Sequence, residues 1–504
     1  MKKIFIPVFA LVALGSCDVL DKQPLPSIAP ENFFQNSDDA EAGLTAAYDA
    51  LQGTGLYSQD LVVAGEMPSD NCFSTNGDVT ALGRLTWTPT TGQIYNIWRD
   101  SYLGINRANA VLKYVPAIDM TAARKNQILG EAYFLRALHY YNLVKLYGAV
   151  PLRLEPTESG EQTVVSLPRT SAETVYVQIA ADLNTADGMV PAANPNRITK
   201  GAVNALLAKV LLTQRQWAPA AAAANKVITE GGYALAANFK SLYPAENVRP
   251  ETILEVQNQG TPDGNNILPD LLLPSPPATY SFPKFNIPTL YRSTATAKPT
   301  DLTFVVDTLN DQRWSRRATR TVTAGGVVYV QRDYASFVLG SSRDSKASAN
   351  DLGPFVYKWP GAPNGFNSPD NTYILRYADV LLMYAEALNE QDGPSADALA
   401  KLNMVRTRAG LPALTAASPQ YASKKALRDE IDRQRRLEMA FEGERWFDLL
   451  RYARHNQAEA GAHAVTALDI IEQKLNRRDA NLLLFPLPQA ELNNNAQLQQ
   501  NPGY

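Results

Sequence analysis

Glu131-Ala-Tyr-Phe-Leu-Arg-Ala-Leu-His-Tyr-Tyr-Asn-Leu-Val-Lys-Leu-Tyr-Gly148 is the stretch whose reading decides the fold. Phe134, Leu138, Tyr141 and Val144 recur at helical spacing and form one apolar stripe. The run stops at Gly148, just before Val150-Pro151, as a helix end should. Lys200 to Gln214 repeats the pattern with Val203, Leu206, Leu207, Val210 and Leu211, and Ala218 to Ile228 follows a turn at Gln216-Trp217. Tyr373 to Asn389 reads as a further helix, broken by Gly393-Pro394 before a partner from Ala396 to Arg408. Lys424 to Arg454 reads as one long charged helix carrying Leu427, Ile431, Leu437, Phe441, Trp446 and Leu449. Two of these hairpins are comparable: Ala208-Lys-Val-Leu-Leu212 and Ala385-Glu-Ala-Leu-Asn389 each precede a turn and an alanine-rich second helix. Small residues on facing positions let helices approach closely, which is the economy of a tetratricopeptide-like hairpin. The expected fold is mainly α, a helical-hairpin scaffold with long loop-rich insertions and minor β.

Between Asn258 and Asp370 the texture changes. Pro274, Pro276, Pro277, Pro283, Pro288 and Pro299 forbid long helices, and Gly326-Val-Val-Tyr-Val330 alternates as a short strand does. Aromatic residues are interleaved, among them Tyr280, Tyr291 and Trp314. A second loop-rich stretch from Gly53 to Thr91 carries Asp70, Asn71, Arg84 and Trp87. Long ordered loops usually carry binding, so these two regions together are expected to form the working face.

The N-terminus points to a compartment. Lys2 and Lys3 precede the apolar run Ile4 to Leu14, and Leu14-Gly-Ser-Cys17 reads as a lipobox. The run is shorter than the ~20 residues of a spanning helix, so it is expected to be a removable signal, leaving Cys17 lipidated. Asp18 to Pro26, with two prolines, reads as an extended tether. The chain carries 47 Lys+Arg against 50 Asp+Glu, a net charge of -3. That balance gives no reason to bind nucleic acid or to seek anionic lipid. With Cys17 lipidated, Cys72 stands alone and no intrachain disulfide is expected. Three histidines leave little material for a metal site, and no cofactor is expected.

Motifs along nearly the whole chain are similar to those of the SusD/RagB family of outer-membrane nutrient-binding lipoproteins. They include the Cys17 to Asp21 start, Trp98 with Tyr102, Ile105 and Ala108-Asn109, and Glu131 to Ala137 leading to Tyr147-Gly-Ala-Val-Pro151. Pro168-Arg-Thr170, Ile198 to Ala202, Leu375 to Asp379 with Ala385-Glu-Ala387, and Leu402-Asn with Val405-Arg406 follow in order. The most specific are Glu438-Met-Ala-Phe-Glu-Gly443 with Arg445 and Asp448-Leu449, then Phe485-Pro-Leu-Pro488 and Gln500 to Tyr504. The resemblance implies a tetratricopeptide-like core with a loop-built ligand face. It also implies a SusC-like TonB-dependent transporter as partner, with the lipoprotein hinged over it as a lid. Under it, Asp18 beside the lipidated cysteine belongs to export to the outer membrane, facing the cell exterior. The expected organisation is a signal peptide (1–16), lipidated cysteine and tether (17–40), N-terminal helical region (41–257), ligand-face region (258–370) and C-terminal helical region (371–504), the two helical regions sharing one core.

Members of the family commonly capture oligosaccharides, and some RagB-like relatives take peptides. A sugar offers a C–H face to aromatic rings and hydroxyls to polar side chains. Trp87, Tyr280, Tyr291 and Trp314 are therefore the candidate platforms, with Asp70, Asn71 and Arg84 as a polar clamp. Glu438, Glu442, Glu444 and Asp448 are the candidates for a glycosidase acid pair, yet they alternate with Arg435, Arg436, Arg445 and Arg451 as a salt-bridged structural helix does. No phosphate loop, nucleophile elbow or paired-histidine zinc motif is present, and the chain is expected not to be an enzyme. The competing readings are a surface glycoside hydrolase or lyase and a periplasmic tetratricopeptide-type scaffold for a protein partner.

Overall fold

The computed structural model describes residues 30–71, 73–74, 77–243, 250–269, 285–286, 311–313, 320–324, 327–331, 339–341, 354–356, 358 and 366–504. Cys17, Cys72, Tyr280, Tyr291 and Trp314 lie outside them. The first part of the chain is helical: α1 (Pro30–Phe33), α2 (Ser37–Asp49), α3 (Asp60–Glu66), α4 (Gly77–Gly83), α5 (Gly92–Tyr114), α6 (Ala122–Tyr147), α7 (Gln162–Val165), α8 (Ala172–Asp187), α9 (Lys200–Thr213) and α10 (Trp217–Glu230). After the loop-rich region come α11 (Tyr377–Asp392), α12 (Ala396–Arg408), α13 (Lys424–Met439), α14 (Arg445–Ala458), α15 (Ala467–Leu475) and α16 (Gln489–Asn494). Hydroxyl caps set several starts. Thr199 accepts from Ala202 N at 3.1 Å, Ser395 from Ala398 N at 3.2 Å and Ser423 from Ala426 N at 3.1 Å. Gly148, at φ +72°, ends α6 as its sequence predicts.

Successive helices stack in chain order: α5 on α6, α6 on α8, α8 on α9, and α9 on α10. Then α10 packs directly on α11, so the two hairpins with matching sequence, α9–α10 and α11–α12, are neighbours in space. Buried Ala220, Ala221, Ala223 and Ala224 on α10 permit that approach. One continuous apolar core runs from Ala40 to Leu498. The closing motif seals it, with Phe485 N donating to Leu146 O at 2.8 Å and Asn501 Nδ2 to Tyr147 O at 3.0 Å.

The loop-rich region hangs from this stack on a stem. The chain leaves through β2 (Thr252–Val256) and returns through β8 (Thr372–Arg376), which pair antiparallel. Between them, β4 (Arg320–Ala324) and β5 (Val327–Gln331) form a hairpin at the alternating segment. The helix expected from Tyr373 is corrected here: residues 372–376 are a strand and the helix begins at Tyr377. All five strand residues are buried, and an apolar run buried on both faces carries no period to separate it from a buried helix.

The single helix expected over Lys424 to Arg454 is also corrected. It breaks between Met439 and Arg445, where Phe441 (φ +66°) and Gly443 (φ +83°) adopt left-handed backbone. The cause is a backbone crossing. A Cβ on Gly65 of α3 would lie 1.9 Å from Gly443 O, and one on Gly443 would lie 2.9 Å from Val62 Cα. Only two glycines allow α3 to pass this close.

A buried ion lattice joins the break to the stem. Arg376, wholly buried, reaches Glu251 (2.9 Å), Glu438 (2.7 Å) and Glu442 (2.7 Å). Arg408 binds Glu251 at 2.7 Å and also Glu438; Arg313 binds Asp311 at 2.7 Å and Glu438 at 3.1 Å; Lys358 binds Glu442. Burial opposes ionisation of Glu438, but Arg408, Arg376 and Arg313 outweigh it and hold the carboxyl well below the usual range.

Gly65→Ala is expected to lose about 3 kcal/mol of stability in urea unfolding through the backbone clash. A loss below about 1 kcal/mol would disprove the crossing. Arg376→Met strands buried carboxylates and is expected to lose about 3–5 kcal/mol in the same assay.

Candidate ligand-binding face

The two loop-rich regions meet. β1 (Phe73–Ser74) pairs with β3 (Phe285–Asn286), which pairs with β7 (Pro354–Val356), beside β6 (Leu339–Ser341), in one four-stranded sheet. Gln52 Nε2 donates to Gln257 O at 2.7 Å, and Ser58 Oγ to Asn265 O at 2.6 Å. The segments flanking the stem are tied as well: Asn258 N donates to Asn371 Oδ1 at 2.8 Å, and Asn266 bridges to Ser368.

The break after α13 supports this face from below. Glu66, at the end of α3, accepts from Gly443 N (3.1 Å), Glu444 N (3.3 Å) and Asn71 Nδ2 (3.1 Å). Arg436 donates to Asn71 Oδ1 (2.8 Å) and to Asp70 O (2.9 Å), and reaches the Asp70 carboxylate at 3.0 Å. Arg445 binds Asp70 at 2.9 Å and Asp432 at 2.8 Å. Burial disfavours the Asp70 anion, yet these two guanidiniums hold its carboxyl well below the usual range. Lys474 then pins the loop by donating to the carbonyls of Met67, Pro68 and Gly83.

These positions redistribute the predicted site. Asp70 and Asn71 are buried and spent on Arg436, Arg445 and Glu66, so they act as foundations of the loop and not as an open clamp. Trp87 is 4% exposed, its indole donating to Tyr504 Oη at 2.6 Å and its ring edge-on to Phe485 at 4.8 Å, so it offers no open stacking face. Arg84 is exposed beyond the end of α4. Tyr280, Tyr291 and Trp314 lie outside the described residues.

The suspected acid cluster is internal. Glu438 and Glu442 belong to the ion lattice, Glu444 pairs with Lys209 at 2.8 Å, and Asp448 with Arg435 at 2.7 Å and Arg451 at 3.0 Å. Among the described residues one group could gather a metal: Glu390, His455 and Glu459. Arg428 already binds Glu390 at 2.5 Å and Glu459 at 3.2 Å, which gives that group a structural cation.

Two grooves escaped the sequence reading. One, of about 510 Å³, lies between α5, the segment after α6 and α16, with Arg99, Tyr102, Asn106, Arg153 and Glu491 on its walls. The other, of about 1010 Å³, lies beside the C-terminal segment and is lined by Arg169, Arg215 and Arg454. No spacing rule links residues so far apart in the chain.

A superhelix of helical hairpins with a loop face grafted on a stem defines a helical-repeat binding scaffold. Residues 295–504 match the SusD family model, and residues 20–212 match a model described as starch-binding associating with outer membrane. The chain belongs to the SusD/RagB family. It is 27% identical over 529 residues to SusD-like protein P2 of Formosa agariphila, covering 100% of both chains. A laminarin-binding SusD-like protein of known structure is 28% identical with a TM-score of 0.69, over 94% of this chain and 100% of that one. A SusD homologue from Bacteroides thetaiotaomicron superposes with a TM-score of 0.75 at 23% identity, over 95% of this chain and 99% of that one.

Burial pushes the Glu66 carboxyl up to about 7, whereas the unfolded chain releases that proton near pH ~4.3. The native state therefore binds the extra proton between these values. Glu66's contribution to stability is full below about pH 4.3 and declines as pH rises to about 7. Glu66→Gln is expected to flatten that part of the stability–pH curve; an unchanged difference between wild type and variant from pH 4.5 to 7.5 would refute it.

Proposed function

We propose that this protein is a cell-surface lipoprotein, anchored in the outer membrane through Cys17, that captures an oligosaccharide or polysaccharide and delivers it to a SusC-like TonB-dependent transporter. The observation that carries the capture role is the union of the two loop-rich regions in one sheet-linked face, held by Asp70 and Asn71 from beneath. The laminarin-binding relative, similar over nearly its whole length, supports a glycan as ligand. The family model over residues 20–212, described as starch-binding associating with outer membrane, supports both carbohydrate binding and that location.

Binding follows from the chemistry of the face. Aromatic rings stack on the C–H side of a sugar, while guanidinium and amide groups take its hydroxyls. Trp314, Tyr280 and Tyr291 supply the rings in this reading, and Arg84 supplies a polar contact. No bond is made or broken. Capture concentrates the ligand at the transporter, and release accompanies the opening of the lid.

Isothermal titration of the lipid-free protein, residues 18–504, against oligosaccharides and peptides tests the reading. Saturable heat with one glycan class, with no product by chromatography, is the expected result; saturation by peptides alone would move the assignment to RagB-like peptide capture. Trp314→Ala is expected to weaken glycan binding about tenfold with the helical circular-dichroism signal intact. Unchanged affinity removes Trp314 from the site.

A further inference from the structure

The 1010 Å³ groove shares no lining residue with residues 53–91 or 258–370. It runs along the ends of α6, α9 and α14 and the start of α8, under residues 497–502. Its three arginines are unlike those of the interior. Arg136, Arg376, Arg428, Arg435, Arg445 and Arg451 each hold a carboxylate. Arg215 and Arg454 form no ion pair among the described residues. Arg169 is fixed without being neutralised, donating to the carbonyls of Ala149 (2.7 Å), Gln499 (2.9 Å) and Tyr147 (3.3 Å) and to Asn501 Oδ1 (2.5 Å).

Glu173 is the lone acid of the lining, so three cations face one anion in a chain whose net charge is -3. A further observation points inward. The Tyr176 hydroxyl lines the groove on a residue only 7% exposed, and the Arg454 guanidinium stands beside it as its hydrogen-bonding neighbour, which fixes that guanidinium at the groove wall without neutralising it.

We propose that this groove is a second ligand site, for an acidic oligosaccharide bearing uronate carboxylates or sulfate esters. The planar guanidinium fork matches both anions in a bidentate pair. Gln214, Gln497, Gln500, Ser171 and Thr213 surround the arginines with the donors and acceptors that sugar hydroxyls require. The apolar lining, including Val144, Ala149, Ala172 and Leu484, is aliphatic and lacks the Trp or Phe pocket that anchors a protein partner. The volume accommodates several linked sugar units rather than one small ion. The site is independent of the loop face, so the groove would take an acidic glycan separately from whatever glycan the loop face holds.

The test is calorimetric titration of the full-length protein in detergent with an oligogalacturonate and a chondroitin sulfate oligosaccharide, each at low and at high salt. A neutral laminari-oligosaccharide and poly-glutamate serve as comparators. The expected result is saturable binding of at least one acidic sugar, weakened by salt and reduced at least tenfold in Arg215→Gln/Arg454→Gln. The variant should keep its melting temperature and its response to the neutral glycan. Silence with both acidic sugars, binding unaffected by the double substitution, or tighter binding of poly-glutamate would each overturn the proposal. Silence of the neutral glycan alone would count against the loop face and leave the groove's result standing.

Discussion

One guanidinium decides whether this architecture holds together. Arg376 ends β8 and sits at the N-terminus of α11, wholly buried, with Glu251 beside β2, Glu438 on α13 and Glu442 in the helix break all within ion-pair distance. Two regions far apart in the chain, at Glu251 and at Glu438 with Glu442, thus share a single guanidinium. In a dry interior such a lattice is stable only when complete, because each member removed leaves others charged and unpaired. Its value is specificity of arrangement: the strand must return at this register, and the helix must stop here, for the charges to cancel.

From that centre the support passes outward. α13, which carries Glu438 of the lattice, and α14 beyond the break bring Arg436 and Arg445 to Asp70 and Asn71, and the break presents Gly443 to Gly65 and two amides to Glu66. The loop from Glu66 to Asn71 is therefore positioned by C-terminal helices, although it belongs to the N-terminal part of the chain. A binding face built on loops needs such rigid fixation, since loops left to themselves lose conformational entropy on binding.

How much of this could be read beforehand depends on periodicity. Glu131 to Gly148 and Lys200 to Gln214 were legible because their apolar residues recur at helical spacing over a run longer than a strand and their ends carry a glycine or a turn, even though both helices are buried nearly all round. Thr372 to Arg376 was not, because burial on both faces erases the alternation that marks a strand. The break near Phe441 was hidden by helix-forming neighbours; its cause is Gly65, on a helix nearly four hundred residues away in the chain. Polar loop residues such as Asp70 read as surface until Arg436 and Arg445 are placed beside them. The groove arginines, at 169, 215 and 454, share no local pattern at all.

The stem of β2 and β8 has an evolutionary corollary. Both ends of the intervening chain are clamped to each other through β2 and β8, and inside it Asp311, Arg313 and Lys358 return to the ion lattice, so the helical frame constrains that region at its two ends and at these three residues. Lengthening what lies between them adds closure entropy logarithmically, on the order of 0.6 kcal/mol per doubling. Chain length between those fixed points can therefore vary at small cost while the stem, the lattice and the helical frame stay constant.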